Sequence, residues 1–160
     1  MKQKLLEKLN AQFRSSIEGV TEFRGELTIG IKREDIAAVC RFLRDDHELK
    51  VDSLRDLCGA DRYQPGDRYE VIYNLYSLVN KFRFRLKVKV SETAPHVPTV
   101  SEIWPAADYA EREAHDMFGL IFDGHPDLRR IYMPEEFEYH PLRKDFPLMG
   151  IPGSLSLPRK

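Results

Sequence analysis

Two segments in the first half of the chain carry apolar residues at helical spacing. Leu5, Leu6, Leu9 and Phe13 recur with polar residues between them, which predicts an amphipathic helix at the N-terminus. A second helix is predicted from about Glu34 to Asp45, because its apolar residues form a single stripe with the arginines outside it. The first half of the chain therefore contributes two helices that can each cover a sheet.

Alternating and continuous apolar runs predict five strands. Val20 to Ile31 has the pattern of a hairpin, with its turn at Arg24-Gly25. Residues 51 to 61 are predicted as a short strand. Tyr69 to Leu78 is apolar on both faces, which suits a strand inside a sheet, and Lys81 to Val90 follows it after a tight turn. Helices and strands are thus mixed along the chain.

The segment from Lys81 to Val90 alternates almost perfectly between cations and apolar residues. A period of two places its five lysines and arginines on one face and its five apolar side chains in the core. Phe82 and Phe84 point away from the cations, so they cannot act as base-stacking platforms beside them. We therefore expect the cationic face to be solvated or to meet an acidic neighbour, and we expect no nucleic acid as a partner.

The pattern changes after the third predicted helix. That helix runs from about Asp108 to Phe118, with Asp108 and Glu111 resembling a capping arrangement at its start and Gly119 suited to its end. From Pro134 onward five prolines break every period, although the segment stays apolar. An extended apolar segment needs a surface to lie on, either its own domain or another protein. We divide the chain into a domain, 1–133, and a tail, 134–160.

The apolar residues of this tail are Phe137, Tyr139, Leu142, Phe146, Leu148, Met149 and Ile151. We predict that the tail docks on a partner and that much of it orders only there.

Composition excludes several classes of protein. The 160 residues carry 25 Lys+Arg and 26 Asp+Glu, a net charge of −1, which excludes a nucleic-acid binder by bulk charge and an acidic tail protein. Hydrophobic residues make up 42%, enough for a core. No run approaches the length of a membrane span, and no signal peptide is readable, so we expect the chain to stay in the cytoplasm.

The two cysteines exclude several cofactors. Cys40 and Cys58 are separated by 17 residues and form no CxxC pair, so this chain alone offers no iron–sulfur cluster or cysteine zinc site. We expect both to be buried small hydrophobes. The glycine-rich motifs for nucleotides and the GxSxG motif of serine hydrolases are also missing.

One cluster of histidines and carboxylates offers candidate chemistry. Glu111 and His115 share a helix face, and His125 or His140 could complete a metal site with them. No HExxH motif is present, so the spacing is not diagnostic.

Ion pairing is the alternative interpretation of the same cluster. Arg112 could pair with Asp116, four residues on, and Glu113 with Arg129 or Arg130. We predict a partly buried network of these charges between the helix, the following loop and a partner. On the residues alone, the chain is a compact α/β domain without its own catalytic groups.

The same cluster forms part of a longer signature. Its members are Glu111, Arg112, Glu113, Asp116, Met117, Phe118, His125, Arg129, Ile131 and Tyr132. A second stretch follows, consisting of His140, Pro141, Leu142, Arg143, Lys144 and Asp145. With Val97-Pro98 and Trp104-Pro105 before them, these residues resemble the thirty-kilodalton subunit family of respiratory complex I, which in bacteria is the C subunit of NADH-quinone oxidoreductase. The resemblance is strong from about Tyr69 to Met149.

The resemblance implies a fold and a role. It implies an α/β (α+β) two-layer domain, in which helices pack on a mixed β-sheet and an extended proline-rich tail follows. The family carries no cofactor or metal of its own; NADH, FMN, iron–sulfur clusters and quinone belong to the parent complex, which couples electron transfer from NADH to quinone with proton translocation. The implied role is structural, in the peripheral arm on the cytoplasmic face of the inner membrane, against the forty-nine-kilodalton subunit of the quinone site.

The implied interface lies in the two signature stretches. We predict that His140, Arg143, Lys144 and Asp145 make the polar contacts of the tail with that partner. Related membrane-bound hydrogenases, formate hydrogenlyases and ferredoxin- or deazaflavin-dependent dehydrogenases share the signature and form the first alternative. A free-standing binding module or a metal hydrolase is the second.

Overall fold

The structure, a computed structural model, describes residues 1–147. Three α-helices span Lys2–Phe13 (α1), Ile36–Asp45 (α2) and Ala107–Phe118 (α3). Short 3-10 turns at Arg14–Ser16 and Arg33–Asp35 follow α1 and precede α2. The strands are Ile17–Phe23 (β1), Glu26–Ile31 (β2), Ser53–Asp61 (β3), Tyr69–Ser77 (β4), Phe82–Val90 (β5), His96–Pro98 (β6) and Ile121–Asp123 (β7).

Five strands form a mixed sheet in the order β1-β2-β5-β4-β3. The hairpins β1–β2, β3–β4 and β4–β5 are antiparallel, whereas β2 and β5 run parallel and pair only over Thr28–Gly30 with Arg85–Lys87. The pattern that predicted β4 as an inner strand and β5 as an alternating one is confirmed. The sheet with its helices is the predicted α+β architecture.

The sheet has one core face and one open face. Alternate strand residues are buried on the core face, together with Leu5 and Leu9 of α1 and the apolar stripe of α2. On β5, Phe84, Leu86 and Val88 are at most 4% exposed. The opposite face, which we call the open face, carries the side chains between them: Glu26, Asp56, Cys58, Asn74, Tyr76, Arg83, Arg85, Lys87 and Lys89.

A second, smaller sheet pairs β6 with β7 in parallel. Each of its strands has only three residues, too few for any alternation to show in the sequence. The sheet holds the chain just before and just after α3, so the helix is anchored at both ends. Within residues 1–147, no helix is both long enough and apolar enough to cross a membrane.

Two local predictions are wrong. Cys58 is exposed, although Cys40 is buried as expected. Cys58 pairs with Ile72 on the open face, because a bulge between Leu54 and Asp56 sets which residues of β3 face outward. The predicted cap of α3 is also absent: Ala106 is the N-cap residue and makes no side-chain cap bond, because the helix begins at Ala107 and Glu111 is used elsewhere.

Candidate functional site

The signature residues lie on α3 and on the chain that follows it, packed beside β3. Gly59 of β3 allows this approach, because a Cβ atom there would lie 2.6 Å from the ring of Phe118. Gly119 ends the helix with φ 74°, and its N–H donates to the carbonyl of His115 at 2.7 Å, as a C-terminal glycine does. Helix α3 is thus fixed at the edge of the sheet with its last turn facing the C-terminal residues.

Asp116 is the centre of the first half of the site. Its carboxylate is fully buried and accepts the backbone N–H groups of Ile131, Tyr132 and Met133 at 3.2, 2.8 and 3.0 Å. Arg130 adds a salt bridge at 2.8 Å. Burial opposes the charged form, but these four donors outweigh it and hold the pKa of Asp116 below its usual value. One carboxylate therefore holds three consecutive residues of the loop after β7 against α3.

Arg112 does not pair with Asp116 as predicted. Its Nε donates to the carbonyl of Arg129 at 2.9 Å, and its Nη2 to the carbonyl of Arg130 at 3.4 Å. The guanidinium of Arg112 is occupied by these two backbone carbonyls. The carboxylate of Asp116 is occupied by Arg130 and by the backbone N–H groups of the loop. Arg112 and Asp116 therefore hold the same loop, one through its carbonyl groups and one through its N–H groups.

The predicted pairing of Glu113 with Arg129 or Arg130 is also absent from the described residues. Glu113 is exposed and accepts only a long bond, 3.4 Å, from the hydroxyl of Tyr132. Arg129 instead binds Asp127, its neighbour in the loop, at 2.7 Å. The charged residues of α3 and the loop do form a network. Most of its bonds join side chains to backbone groups rather than opposite charges to one another.

Glu111 points into the core. Its carboxyl group is fully buried and accepts the N–H of Val100 at 2.8 Å and the hydroxyl of Thr99. Burial is the main cause that raises the pKa of Glu111 to about 7; those two hydrogen bonds lower it, and the charge of Asp108 raises it further. Glu111 joins α3 to the segment that follows β6.

His125 lies next to Glu111 with its side chain 1% exposed. Its Nδ1 accepts the N–H of Asp127 at 3.0 Å, which assigns the proton to Nε2. Nε2 then donates to the carbonyl of Asp108 at 3.1 Å, while the nearest oxygen of Glu111 is 3.9 Å away. Both ring nitrogens of His125 therefore make hydrogen bonds within the chain.

The remaining histidines of the proposed metal cluster are engaged in the same way. Nδ1 of His115 binds the carbonyl of Leu120 at 2.8 Å, and Nδ1 of His140 binds that of Asp116 at 2.9 Å. Among residues 1–147, no three His, Cys, Asp or Glu side chains are arranged to hold a metal ion. The geometry of the cluster supports helix and loop packing.

Residues 134–147, which we call the C-terminal segment, complete the end of α3. The last carbonyl groups of a helix have no partner within it. Here each of three consecutive carbonyls accepts one donor from the C-terminal segment. The pairs are Asp116 with His140 at 2.9 Å, Met117 with the N–H of Leu142 at 3.1 Å and Phe118 with Nε of Arg143 at 2.6 Å.

A second anchor holds the C-terminal segment to the sheet. Arg68, 5% exposed, binds Asp61 through two nitrogens at 3.0 and 2.7 Å, and also Glu92 and Asp145 at 2.5 and 3.0 Å. The N–H of Lys144 donates to Asp61 at 2.8 Å. The bond from Arg68 is the main cause that lowers the pKa of Asp61 to about 2. We call these five residues the Arg68 cluster.

The C-terminal segment therefore differs from its prediction. The four polar residues expected to contact a partner, His140, Arg143, Lys144 and Asp145, all bind this chain's own α3 or the Arg68 cluster. The segment forms successive turns rather than an extended path, and the rings of Phe137, Tyr139 and Phe146 cluster with centroids 5.8 to 6.4 Å apart. The last carbonyl groups of α3 accept donors from the segment within the chain itself. Leu148, Met149 and Ile151 lie outside the described residues.

Comparison with known proteins places the chain among respiratory subunits. The profile of the family described as "Respiratory-chain NADH dehydrogenase, 30 Kd subunit" matches residues 29–152. The C subunit of NADH-quinone oxidoreductase from Roseiflexus castenholzii is 51% identical over 144 residues, covering 90% of this chain and 83% of the relative. The corresponding C 2 subunit from Rhizobium meliloti is 47% identical over 144 residues, with 90% and 79% covered.

Two solved structures share the fold. A trypsin-resistant fragment (1-134) of Nqo5 has a TM-score of 0.65 at 29% identity, covering 79% of this chain and 98% of the fragment. A chain of an archaeal membrane-bound sulfane sulfur reductase has a TM-score of 0.78, with 92% and 86% covered; at 21% identity it shows the fold alone.

The fold and the helix-loop site define a small α+β domain that closes on its own C-terminal segment. By the family profile and by the identity to its relatives, the chain belongs to the thirty-kilodalton subunit family of respiratory-chain NADH dehydrogenase. The resemblance predicted from the signature is confirmed.

Proposed function

We propose that the chain is the thirty-kilodalton subunit of an NADH-quinone oxidoreductase, with a structural and assembly role in its peripheral arm. The observation that carries this proposal is the 51% identity over 144 residues to the Roseiflexus castenholzii protein of that enzyme. The complex as a whole transfers electrons from NADH to quinone and couples this transfer to proton translocation. The chain contributes a rigid surface to that assembly.

We infer that the chain itself performs no chemistry. Asp116, Glu111 and the signature histidines described above make structural hydrogen bonds within the chain, to the loop, to the segment after β6 and to backbone carbonyls. Burial raises the pKa of the Cys40 thiol, and partial desolvation together with the nearby charges of Asp56 and Glu113 raises the pKa of the exposed Cys58 thiol. Both shifts disfavour the thiolate that metals and electrophiles need. NADH, FMN, iron–sulfur clusters and quinone are then bound by other subunits of the complex.

We infer that the surface around the C-terminal segment meets the forty-nine-kilodalton subunit, on the cytoplasmic face of the inner membrane. The internal bonds of this region leave apolar side chains outside on a fixed backbone: Tyr132 is 60% exposed and Leu142 is 54% exposed. Tyrosine and leucine side chains held in this way lose little entropy on docking.

The experiment is purification of the tagged full chain from its source in mild detergent, followed by identification of its companions by mass spectrometry. We expect the forty-nine-kilodalton subunit and the other peripheral-arm subunits, with NADH-dependent quinone reduction in the same fraction. Hydrogenase subunits in place of NADH-oxidising ones would assign the chain to a related complex instead. A chain that purifies alone would contradict the proposal.

A pair of variants tests the surface. Tyr132→Ser with Leu142→Ser removes both exposed apolar groups without touching the bonds made by their backbone N–H groups. We expect reduced co-purification of the forty-nine-kilodalton subunit and an unchanged melting temperature. Leu78, in the turn between β4 and β5, is 59% exposed. Leu78→Ser is therefore the matched control and should leave co-purification unchanged.

A further inference from the structure

The open face of the sheet contains an arginine that a bulge has turned outward. The pairing of β3 with β4 shifts register between Leu54 and Asp56, so Arg55 is an extra residue in the strand. Leu54 and Leu57 face the core, whereas Arg55 and Asp56 are both exposed on the open face. The guanidinium of Arg55 lies 5.7 Å from the ring centre of Tyr76 and makes no salt bridge to any described residue.

Two more arginines stand opposite Arg55 on the same face. Arg83 and Arg85 of β5 both bind Glu26 of β2, Arg83 at 3.2 Å. Nε of Arg85 also donates to the side-chain oxygen of Asn74 at 3.0 Å. Glu26 thus holds both guanidinium groups upright beside the short parallel pairing of β2 and β5. The side chain of Arg83 remains 77% exposed.

Arg55 on one side and Arg83 with Arg85 on the other flank a cavity of about 550 Å³. Its floor is formed by β4 and β5. Three arginines and one carboxylate, Glu26, are the charged residues that line it. Because Glu26 already binds Arg83 and Arg85, Arg55 has no counter-charge of its own among the described residues there. Asp56, next to Arg55 on the open face, accepts a hydrogen bond from Asn74 at 3.2 Å, does not line the cavity and makes no salt bridge with Arg55. The cavity lining therefore has an excess of positive charge and of unoccupied guanidinium donors, beside an aromatic ring.

We propose that this cavity receives an acidic side chain from an extended segment of a neighbouring protein subunit. Arg55 and Arg83 would bind the carboxylate with their planar forks, and Tyr76 would pack against its methylene groups. The inference rests on the proposed function, since it requires that the chain be assembled with other subunits. It assigns a second docking surface, on the opposite side of the sheet from α1 and α2.

Charge complementarity favours a protein carboxylate as the occupant. The cavity opens on a sheet face, which lets an extended backbone lie across it, and its polar groups are donors that suit a carboxylate. The lysines further along β5 are already matched: Lys87 lies 3.3 Å from Glu70, and Lys89 lies 3.8 Å from Glu18. The excess charge is thus confined to the cavity, which suits a single side chain better than a nucleic-acid strand.

A zero-length cross-link tests this directly. Arg55→Lys and Arg83→Lys each place a primary amine in the cavity, and a water-soluble carbodiimide joins an amine only to a carboxylate in contact with it. Each variant is expressed in full length, purified within its complex, treated and mapped by mass spectrometry. We expect an amide link from the lysine introduced at either position to an aspartate or glutamate of another subunit. Arg41→Lys, exposed on α2, is the matched control and should give no such link.

Charge reversal gives a second measurement. We expect Arg55→Glu with Arg83→Glu to reduce recovery of the complex at least about tenfold in moderate salt, while the isolated variant melts as the wild type does. Arg41→Glu should leave recovery unchanged.

The outcomes separate the two proposals. A complex that contains the chain but gives no intersubunit link from either position, or one in which the reversed variant assembles normally, overturns this inference and leaves the proposed function intact. A free small anion in the cavity would also give no link. If the wild-type chain purifies without other subunits, both proposals fail.

Discussion

Glu111 has a fully buried carboxyl group with two hydrogen-bond donors and no cation bound to it in the described structure. Asp108 of α3 adds a negative charge, His125 has its Nε2 proton on a carbonyl, and Cys40 and Tyr73 face the group from α2 and β4. Protonation suits this site, because Thr99 can donate its own hydroxyl proton to Ser101 at 2.9 Å and accept one from Glu111. The folded state therefore prefers the neutral acid.

The sign of the pH dependence follows from that preference. The pKa of Glu111 is about 7 in the folded chain against 4.5 for an ordinary glutamate. Its contribution to stability is complete below pH 4.5 and is lost as the pH rises toward 7. We expect Glu111→Gln, which mimics the neutral acid, to match the wild type at about pH 4.5 and to exceed its unfolding free energy by on the order of 3 kcal/mol at about pH 8.

Urea unfolding of both proteins across this pH range measures the difference. Burial lowers the pKa of His140, which gives a slope of opposite sign, but that slope is common to both proteins and cancels. Parallel curves for the two proteins would show that Glu111 is ionised in the fold.

Arg68 is the second residue with a large expected effect. Its replacement by Met would leave the carboxylate of Asp61, 1% exposed, without its cation. Removing one partner of a buried pair costs about 3–5 kcal/mol, whereas an exposed pair contributes less than about 1 kcal/mol. We expect Arg68→Met to lower the unfolding free energy by the amount of a buried pair, and Arg129→Met, at a pair whose arginine is 70% exposed, to have a far smaller effect.

The pH dependence again identifies the cause. The pKa of Asp61 is depressed to about 2, so its stabilisation is present above the ordinary value of 3.8 and is lost as the pH falls toward 2. Thermal melts from about pH 6 down to about pH 2 should show the Arg68→Met deficit shrinking in acid. A deficit independent of pH would mean that packing between Tyr63 and Tyr69 is what Arg68 contributes.

Helix α3 and the C-terminal segment form a unit that a single methyl group can test. Gly119 has φ 74°, and a Cβ atom there would contact the side chains of Arg143 and His140, 2.6 Å from the latter's ring. Gly25 has a similar φ of 81° in the β1–β2 turn, but a Cβ atom there would meet nothing within 4 Å. The two positions share the backbone strain and differ only in the contact.

We expect Gly25→Ala to cost about 1–2 kcal/mol from strain alone. Gly119→Ala should cost about 2 kcal/mol more, because it displaces two donors from the carbonyls of Asp116 and Phe118. Chemical unfolding of both variants provides the comparison. Equal losses would indicate that the end of α3 does not depend on the C-terminal segment.

Elements whose signal is local could be predicted from the sequence. The alternation of Lys81 to Val90 depends only on the period of a strand, and the structure reproduces it. The exposure of Cys58 could not be predicted, because it is set by a bulge at Arg55 that no periodicity marks. The bond between Arg68 and Asp145 joins residues 77 positions apart, and neither residue has a pattern that points to the other.

The candidate site shows the same difference between what local sequence patterns predict and what contacts between distant residues decide. The residues of the signature were found, but their partners were predicted wrongly, because backbone groups compete with side chains for every charge. The N–H groups that bind Asp116 and the carbonyls that bind Arg112 exist in every sequence and become partners only when a loop folds over them. Sequence patterns specify which charges are present, whereas the path of the loop decides what they bind.

At the scale of the whole molecule, the C-terminal segment beyond residue 133 is bonded to the rest of the described chain at α3 and at the Arg68 cluster. Deleting 134–160 removes the donors to three α3 carbonyls, the N–H of Lys144 on Asp61 and the carboxylate of Asp145 on Arg68. At roughly 1 kcal/mol for each bond, we expect the deletion to lower the unfolding free energy by about 3–5 kcal/mol. Deleting only 148–160 keeps all of these bonds and should leave the melt unchanged.

The two deletions also separate folding from docking. If residues after Pro147 contact the forty-nine-kilodalton subunit, the 148–160 deletion should keep its melting temperature and lose recovery of that partner in a pull-down. The longer deletion should lose both, because the loop that carries Tyr132 is held by Asp116 in the last turn of α3, and that turn would be unsupported. A 134–160 deletion that melts as the full chain does would show that the contacts of the C-terminal segment add nothing to the fold, and the domain would then end at 133.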